Sequence, residues 1–192
     1  MEYLLIAINS VFIGNLILAK FLGICPFLGV SKKVSTALGM SMAVMFVMTL
    51  AATVTWILFH FLLEPLNLQY LRTIVFILVI ASLVQLTEMA IQKISPALYE
   101  ALGIYLPLIT TNCAILGVAI NSIEKEYNFL GMLVYAFFGA VGFALALLLF
   151  SGIRERLDIS SVPKSFRGAA SSLIVAGILS LAFMGFAGLV PG

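Results

Sequence analysis

Six long apolar segments, separated by short polar breaks, dominate this chain of 192 residues. They cover about 3–29, 35–62, 70–92, 97–122, 129–152 and 168–190, and each is long enough to cross about 30 Å of hydrocarbon. They are continuously apolar and lack the alternation typical of strands. Only 9% of the residues are charged, whereas a soluble domain carries about 25%. The sequence therefore predicts an all-α integral membrane protein with six transmembrane helices in a single membrane domain, residues 1–192.

The basic residues predict how the chain is oriented. With six spans both termini lie on one side, which would also hold Arg72 and Lys125. The other side would hold seven basic residues: Lys32, Lys33, Lys93, Arg154, Arg156, Lys164 and Arg167. Because Lys and Arg favour the cytoplasmic side, we expect both termini to face outward. The start lacks the basic region of a cleaved signal peptide, so we expect the first segment to be retained.

A short pattern occurs twice and carries the only two cysteines. The chain reads CPFLGV from Cys25 and CAILGV from Cys113, and the two copies are 88 residues apart (113 − 25 = 88). Four of the six positions match, at close to half the chain length. The sequence therefore contains an internal repeat, with repeat one at about 1–95 and repeat two at about 96–192. Its shared cysteine indicates a redox centre within the membrane.

Three spans per repeat is an odd number, so the second repeat enters the membrane from the opposite face. Such an inverted 3+3 repeat has a pseudo-two-fold axis in the membrane plane, and equivalent cysteines can meet only near the midplane. In continuous helices Cys25 would lie about 33 Å from Tyr3, and Cys113 about 25 Å from Pro96, near opposite faces. Segments one and four contain helix-interrupting residues, namely Gly14, Asn15, Gly23, Pro26, Gly103, Pro107, Thr110, Thr111 and Asn112. We therefore predict broken or half helices in both segments, which bring the cysteines to mid-depth.

Two cysteines at this depth are compatible with a disulfide, with free buried thiols or with a metal site. Thiolates suit zinc and iron–sulfur clusters, and the presence of Cys in both repeats favours a metal. A [2Fe–2S] cluster usually takes four thiolates, but this chain has two cysteines and one histidine, His60, at the end of segment two. A cluster would need two more cysteines from a second chain. The residues alone fit iron and zinc equally.

Five runs of sequence closely resemble the RnfA family, the A-type membrane components of the Rnf electron-transport complex. They are KFLGICPF at 20–27, GVSKK at 29–33, LPLITTNCA at 106–114, GIRERL at 152–157 and LAFMGF at 181–186. The resemblance covers essentially the whole chain. The E-type component of the sodium-pumping NADH:quinone reductase is a paralogue and the alternative assignment. It has Thr rather than Pro after the first cysteine, so Cys25-Pro26 favours Rnf.

The resemblance implies one component of a ferredoxin:NAD⁺ oxidoreductase, a redox-driven translocase of the bacterial inner membrane that couples electron transfer to Na⁺ or H⁺ transport. RnfA and its homologue RnfE are six-span proteins of opposite orientation that hold one [2Fe–2S] cluster between them. Cys25 and Cys113 would be this chain's two cluster ligands. The implied partners are RnfE, the B, C, D and G components of the Rnf complex, and membrane lipid. The net charge of +2 gives no indication of a nucleic-acid partner.

Four further polar residues are candidates for the site or for an ion path. Lys20 fits either compensation of the cluster charge or a snorkelling or partner-facing lysine. Glu88 fits either an ion path or an interfacial pair with Lys93. Thr111 and Asn112 fit hydrogen bonds to cluster sulfurs, or to backbone groups freed at the helix break.

Two other patterns have structural interpretations. Gly139 and Gly142, with alanines nearby, predict a small-residue helix contact. Arg154 to Arg156 indicate the cytoplasmic boundary, where a peripheral protein of the complex could dock.

Several function classes lack their motifs here. The chain has no glycine-rich phosphate loop, no zincin motif and no visible flavin or nicotinamide site, so it is not a complete enzyme by itself. One rival hypothesis is a small inverted-repeat transporter with a midplane substrate site and no redox cofactor. Another is a purely structural role in assembly of a complex.

Overall fold

A computed structural model of the chain describes residues 2–66, 68–94, 107–159 and 168–188. These residues are mostly helical, and no strand occurs among them. Eight α-helices are labelled in chain order: α1 Glu2–Ile8, α2 Ile24–Val30, α3 Val34–Leu58, α4 Arg72–Ile94, α5 Pro107–Thr110, α6 Cys113–Glu124, α7 Phe129–Ile159 and α8 Ala169–Met184. The predicted all-helical class is confirmed for this part of the chain.

Among the described residues, three helical stretches are long and apolar enough to cross a membrane. They cover Val34–Leu63, Gln69–Ala90 and Phe129–Ile159 and correspond to predicted segments two, three and five. The first combines α3 with a π-helical turn at Phe59–Leu63. Tyr3–Ile13 and Ala169–Met184 are shorter apolar helices. At about 1.5 Å per residue, the 16 residues of α8 rise about 24 Å, less than the predicted segment six.

Helices α3 and α7 form the centre of the structure. Their buried positions follow the same pattern, offset by a constant number of residues along the chain. Each of the nine buried residues of α3 corresponds, 95 residues later, to a buried residue of α7. Ala37 and Met132 (132 − 37 = 95) begin this series, and Thr55 and Phe150 end it. The shift exceeds the cysteine spacing of 88 mainly because α6 has 12 residues and α2 has 7. The same burial pattern in both helices supports the internal repeat.

Small residues let the first segment approach α7 closely. A Cβ atom on Gly142 would lie 3.0 Å from the Val11 backbone, and one on Gly139 would lie 3.6 Å from Leu16. Ala136, Ala140 and Ala146 on the same helix are fully buried. The small-residue contact predicted for this region is confirmed, because glycine and alanine allow the two backbones to approach closely.

Segment one is broken, as predicted. α1 continues into a π-helical turn, Asn9–Ile13, and the helix then stops before α2 begins at Ile24. Asn15 is completely buried in this break, where it pairs backbone groups on both sides of the break and one carbonyl of α7. Its Nδ2 donates to the carbonyls of Val11 at 3.0 Å and Gly142 at 2.9 Å, and its Oδ1 accepts from the Ile17 amide at 3.1 Å.

Segment four is also broken in its described part. The short α5 begins at Pro107 and ends at Thr110, and α6 begins at Cys113. Asn112 lies between them with extended backbone, φ −72° and ψ 108°, which ends one helix and starts the next. Pro96 and Gly103, used in the prediction for this segment, lie outside the described residues.

The end of segment five differs from the prediction. The sequence predicts that segment five ends at about residue 152, whereas α7 continues to Ile159. Residues 154–158 read RERLD, which are mostly good helix formers, so the helix extends beyond the apolar segment with polar side chains. Lys164 and Arg167 lie outside the described residues.

Candidate functional site

Both cysteines lie in the first turn of a half helix. Cys25 is the second residue of α2, and Cys113 is the first residue of α6. Pro26 fits here because the first helical turn has no partners for its amide groups. The unpaired amides and the positive end of the helix dipole therefore lie beside each sulfur.

Gly23 joins the two half helices. Its amide donates a hydrogen bond to Cys113 Sγ at 2.8 Å, across 90 residues of sequence. Gly23 precedes α2 with φ 83°, a conformation that favours glycine. A Cβ atom here would lie 2.8 Å from Phe143 Cε2 and 3.1 Å from Asn112 Oδ1. Only glycine fits this space, and it places the two helix breaks in contact.

The two thiols are free and exposed at the surface of the chain. The residues next to them are buried: Pro26 and Phe27 behind Cys25, and Asn112 and Ala114 on either side of Cys113. The buried neighbours hold each helix start in place while its thiol faces outward. Both cysteines are therefore accessible to a group or chain that binds this surface.

Within the described ranges, no group of three or more His, Cys, Asp or Glu side chains comes together as a metal site. The described residues thus provide two thiolates and no complete set of metal ligands. His60, the single histidine, stacks on Trp56 with ring centroids 4.2 Å apart.

Asn112 and Thr111 both satisfy backbone at the break. Asn112 Oδ1 accepts from the Ala114 amide at 3.0 Å and caps α6. Thr111 Oγ1 donates to the Pro107 carbonyl at 3.0 Å. Asn112 is 3% exposed, and its Nδ2 has no partner among the described residues. Asn112 Nδ2 is therefore a buried donor with an unused hydrogen-bonding capacity, located beside the start of α6.

Lys20 and Glu88 lie apart from the helix starts. Lys20 is exposed, and its Nζ donates to Asn121 Oδ1 at 3.0 Å. Asn121 is about two turns beyond Cys113 on α6. Glu88 is half-buried on α4, and among the described residues it forms no ion pair with Lys93.

Two residues that sequence reasoning did not connect to the cysteines support the half helices. Gly23 was recognisable as a helix breaker, but its donor role depends on a contact with the other repeat. Arg154 reaches back to the end of α2, where its Nη1 donates to the Leu28 carbonyl and to Ser31 Oγ, each at 2.7 Å. Its position in a charged run indicates only a membrane boundary.

Comparison with known proteins gives one family over nearly the whole chain. Residues 3–190 match the Rnf-Nqr family model, described as "Rnf-Nqr subunit, membrane protein". Proteins named as the A component of an ion-translocating oxidoreductase complex are similar to this chain. They include one from Syntrophotalea carbinolica at 62% identity, one from Serratia proteamaculans at 59% and one from Edwardsiella ictaluri at 57%, each covering 98% of both chains. The resemblance seen in the sequence is confirmed: the chain belongs to the Rnf-Nqr family of membrane proteins.

Proposed function

We propose that this chain is the RnfA component of a ferredoxin:NAD⁺ oxidoreductase of the Rnf type and contributes half of a [2Fe–2S] site, through Cys25 and Cys113. The observation that carries the proposal is the contact between Gly23 and Cys113 Sγ. It draws together two helix breaks, each followed by a half helix with an exposed cysteine in its first turn. The names of relatives at 59–62% identity support membership of an ion-translocating oxidoreductase complex.

The residues present fit half of such a site. Thiolates are the usual ligands of [2Fe–2S] clusters, which take four. Both thiols are exposed, so a second chain that binds there can supply the other two. Asn112 Nδ2, which has no partner among the described residues, is a hydrogen-bond donor of the kind that pairs with cluster sulfurs, next to Cys113 in the chain.

When bound, a [2Fe–2S] cluster supplies a one-electron relay. The role of this chain is to hold and tune two of its ligands. The Gly23 amide donates to Cys113 Sγ, which stabilises negative charge on that sulfur. The helix starts at Cys25 and Cys113 place positive dipole ends beside both thiolates.

We further propose that the six spans form an inverted 3+3 repeat with both termini outside, in the bacterial inner membrane. The shared burial pattern of α3 and α7 and the basic residues of the predicted loops support this topology. A homologous RnfE chain of opposite orientation would supply the remaining cysteines. The B, C, D and G components would complete the complex.

The negative charge of an added electron provides a physical reason for coupling electron transfer to ion transport. An added electron in a low-dielectric site is costly unless a cation approaches, so electron arrival favours movement of Na⁺ or H⁺ towards the centre.

The test is iron and acid-labile sulfide analysis, with electron paramagnetic resonance, of the complex carrying Cys25→Ser or Cys113→Ser. Each variant should lose the signal of this cluster and the coupled activity, while other redox centres remain. The two effects should be similar, since a cluster missing one thiolate is usually unstable. A full signal in either variant would exclude that residue as a ligand. Wild-type complex without this iron, but with ion transport, would favour the transporter hypothesis.

A further inference from the structure

The far end of each half helix is held by a side chain from a long helix in the other repeat. Arg154 on α7 binds the end of α2, and Trp56 on α3 binds the backbone just beyond α6. Each cysteine helix is therefore tied at both ends. Its start packs at the break, and its end is bound to a long central helix.

Arg154 binds groups that a helix end leaves unpaired. Its Nη1 donates to the Leu28 carbonyl and to Ser31 Oγ, each at 2.7 Å. The Leu28 carbonyl is one of the last four of α2, which have no partner within the helix. Ser31 directly follows α2 and is completely buried. A cation here also interacts favourably with the negative end of the helix dipole.

Trp56 binds the turn that closes α6. Its Nε1 donates to the Tyr127 carbonyl at 3.1 Å. The Tyr127 amide donates to the Ser122 carbonyl at 3.3 Å, and the Glu126 amide to the Ile123 carbonyl at 2.9 Å. With Glu126 at φ 50°, this is a Schellman turn that pairs the last carbonyls of α6. Trp56 thus fixes the turn on which the end of α6 depends.

The two contacts occupy related places in the repeat. Arg154 follows Trp56 by 98 residues (154 − 56 = 98), within one helical turn of the 95-residue shift that relates α7 to α3. A role confined to the membrane boundary would not account for a tryptophan making the matching contact in the other half.

We propose that Arg154 and Trp56 are positioning residues, Arg154 for the Cys25 helix and Trp56 for the Cys113 helix. This inference rests on the proposed function, because it assigns these residues to the placement of cluster ligands. α2 has seven residues and is about 10 Å long, so movement at its end reaches Cys25 directly. α6 has 12 residues and transmits the Trp56 contact to Cys113 over a longer distance.

Backbone hydrogen exchange in the purified whole complex tests the assignment helix by helix. Arg154→Gln should speed exchange of residues 24–31 by about tenfold, the order expected for loss of a charge-assisted hydrogen bond, with residues 113–124 unchanged. Trp56→Phe keeps an aromatic ring but removes the donor. It should speed exchange of 113–124 and leave 24–31 unchanged.

Two further variants make the test independent of general damage. Arg156→Gln removes the same charge from an exposed position on the same helix and should change neither region. Arg154→Lys keeps the charge with a different donor geometry and should fall between wild type and Arg154→Gln. If Arg154→Gln prevents assembly of the complex, Arg154→Lys and Trp56→Phe provide the comparison.

A redox titration of the cluster provides the second readout. Arg154→Gln should shift its midpoint potential and Arg156→Gln should not. Exchange that rises equally in both half helices, or in neither, would overturn the inference. Wild-type complex lacking the cluster would overturn the proposed function instead, while the exchange measurement would still decide whether the two contacts act on separate helices.

Discussion

The amide of Gly23 donates a hydrogen bond to the sulfur of Cys113 at 2.8 Å, and this contact joins the two halves of the chain at their helix breaks. Gly23 lies two residues before Cys25, so one backbone segment positions both thiols. The contact requires a left-handed residue without a side chain, since Phe143 and Asn112 fill the adjacent space.

Gly23→Ala should therefore destabilise the protein and the site together. Alanine at φ 83° costs about 1–2 kcal/mol, and its Cβ would lie 2.8 Å from Phe143 Cε2. We expect a lower melting temperature and reduced iron in the purified complex. Gly177→Ala on α8 is the control, because nothing lies within 4 Å of the added carbon. Equal stability of the two variants would mean that the Gly23 conformation is not required.

Asn15→Leu should cost about 2–3 kcal/mol, because it leaves the Val11 carbonyl and the buried Ile17 amide without their hydrogen bonds to Asn15. The thermal unfolding midpoint of the complex in detergent measures the effect. Ser82→Ala removes a side chain to backbone hydrogen bond at an exposed position and should be nearly neutral. An Asn15 variant as stable as the Ser82 variant would contradict a structural role for this break.

Iron binding should depend on the partner. One chain provides two thiolates, so the chain expressed without its homologous partner should hold little iron, and co-expression should restore it. Iron and sulfide per chain, measured on both preparations, are the test. A stoichiometric cluster in a homodimer of this chain would show that the proposed two-plus-two arrangement is wrong.

The orientation can be tested by labelling single engineered cysteines with a membrane-impermeant maleimide. Lys32→Cys should react only from the cytoplasm and Glu126→Cys only from outside, because the seven-to-two distribution of basic residues favours a cytoplasmic position for Lys32. Both variants are made in a background without Cys25 and Cys113, to remove reaction at the native thiols. Reaction of position 126 from the cytoplasm in intact cells would reverse the topology.

The sequence by itself determined the membrane class, the extents of the long helices α3, α4 and α7 within a few residues at most ends, and the two places where helices break. These features are local: an apolar run longer than the bilayer core is stable only as a spanning helix, and Gly, Pro and Asn interrupt it. The sequence also singled out Cys25 and Cys113, because a matched cysteine in each repeat is visible without a structure. It ended α7 too early, since hydropathy marks the edge of the apolar layer rather than the end of the helix.

Only the tertiary structure decided how the breaks are held. The contacts of Gly23 with Cys113 and of Arg154 with Leu28 join residues 90 and 126 positions apart. The sequence around a glycine in a broken segment, or around an arginine at a helix end, is the same whether or not that residue contacts the other repeat. Which unpaired backbone group each one satisfies depends on the packing of α2 and α6 against the long helices. That packing exists only in the folded chain, and it leaves both thiols facing outward.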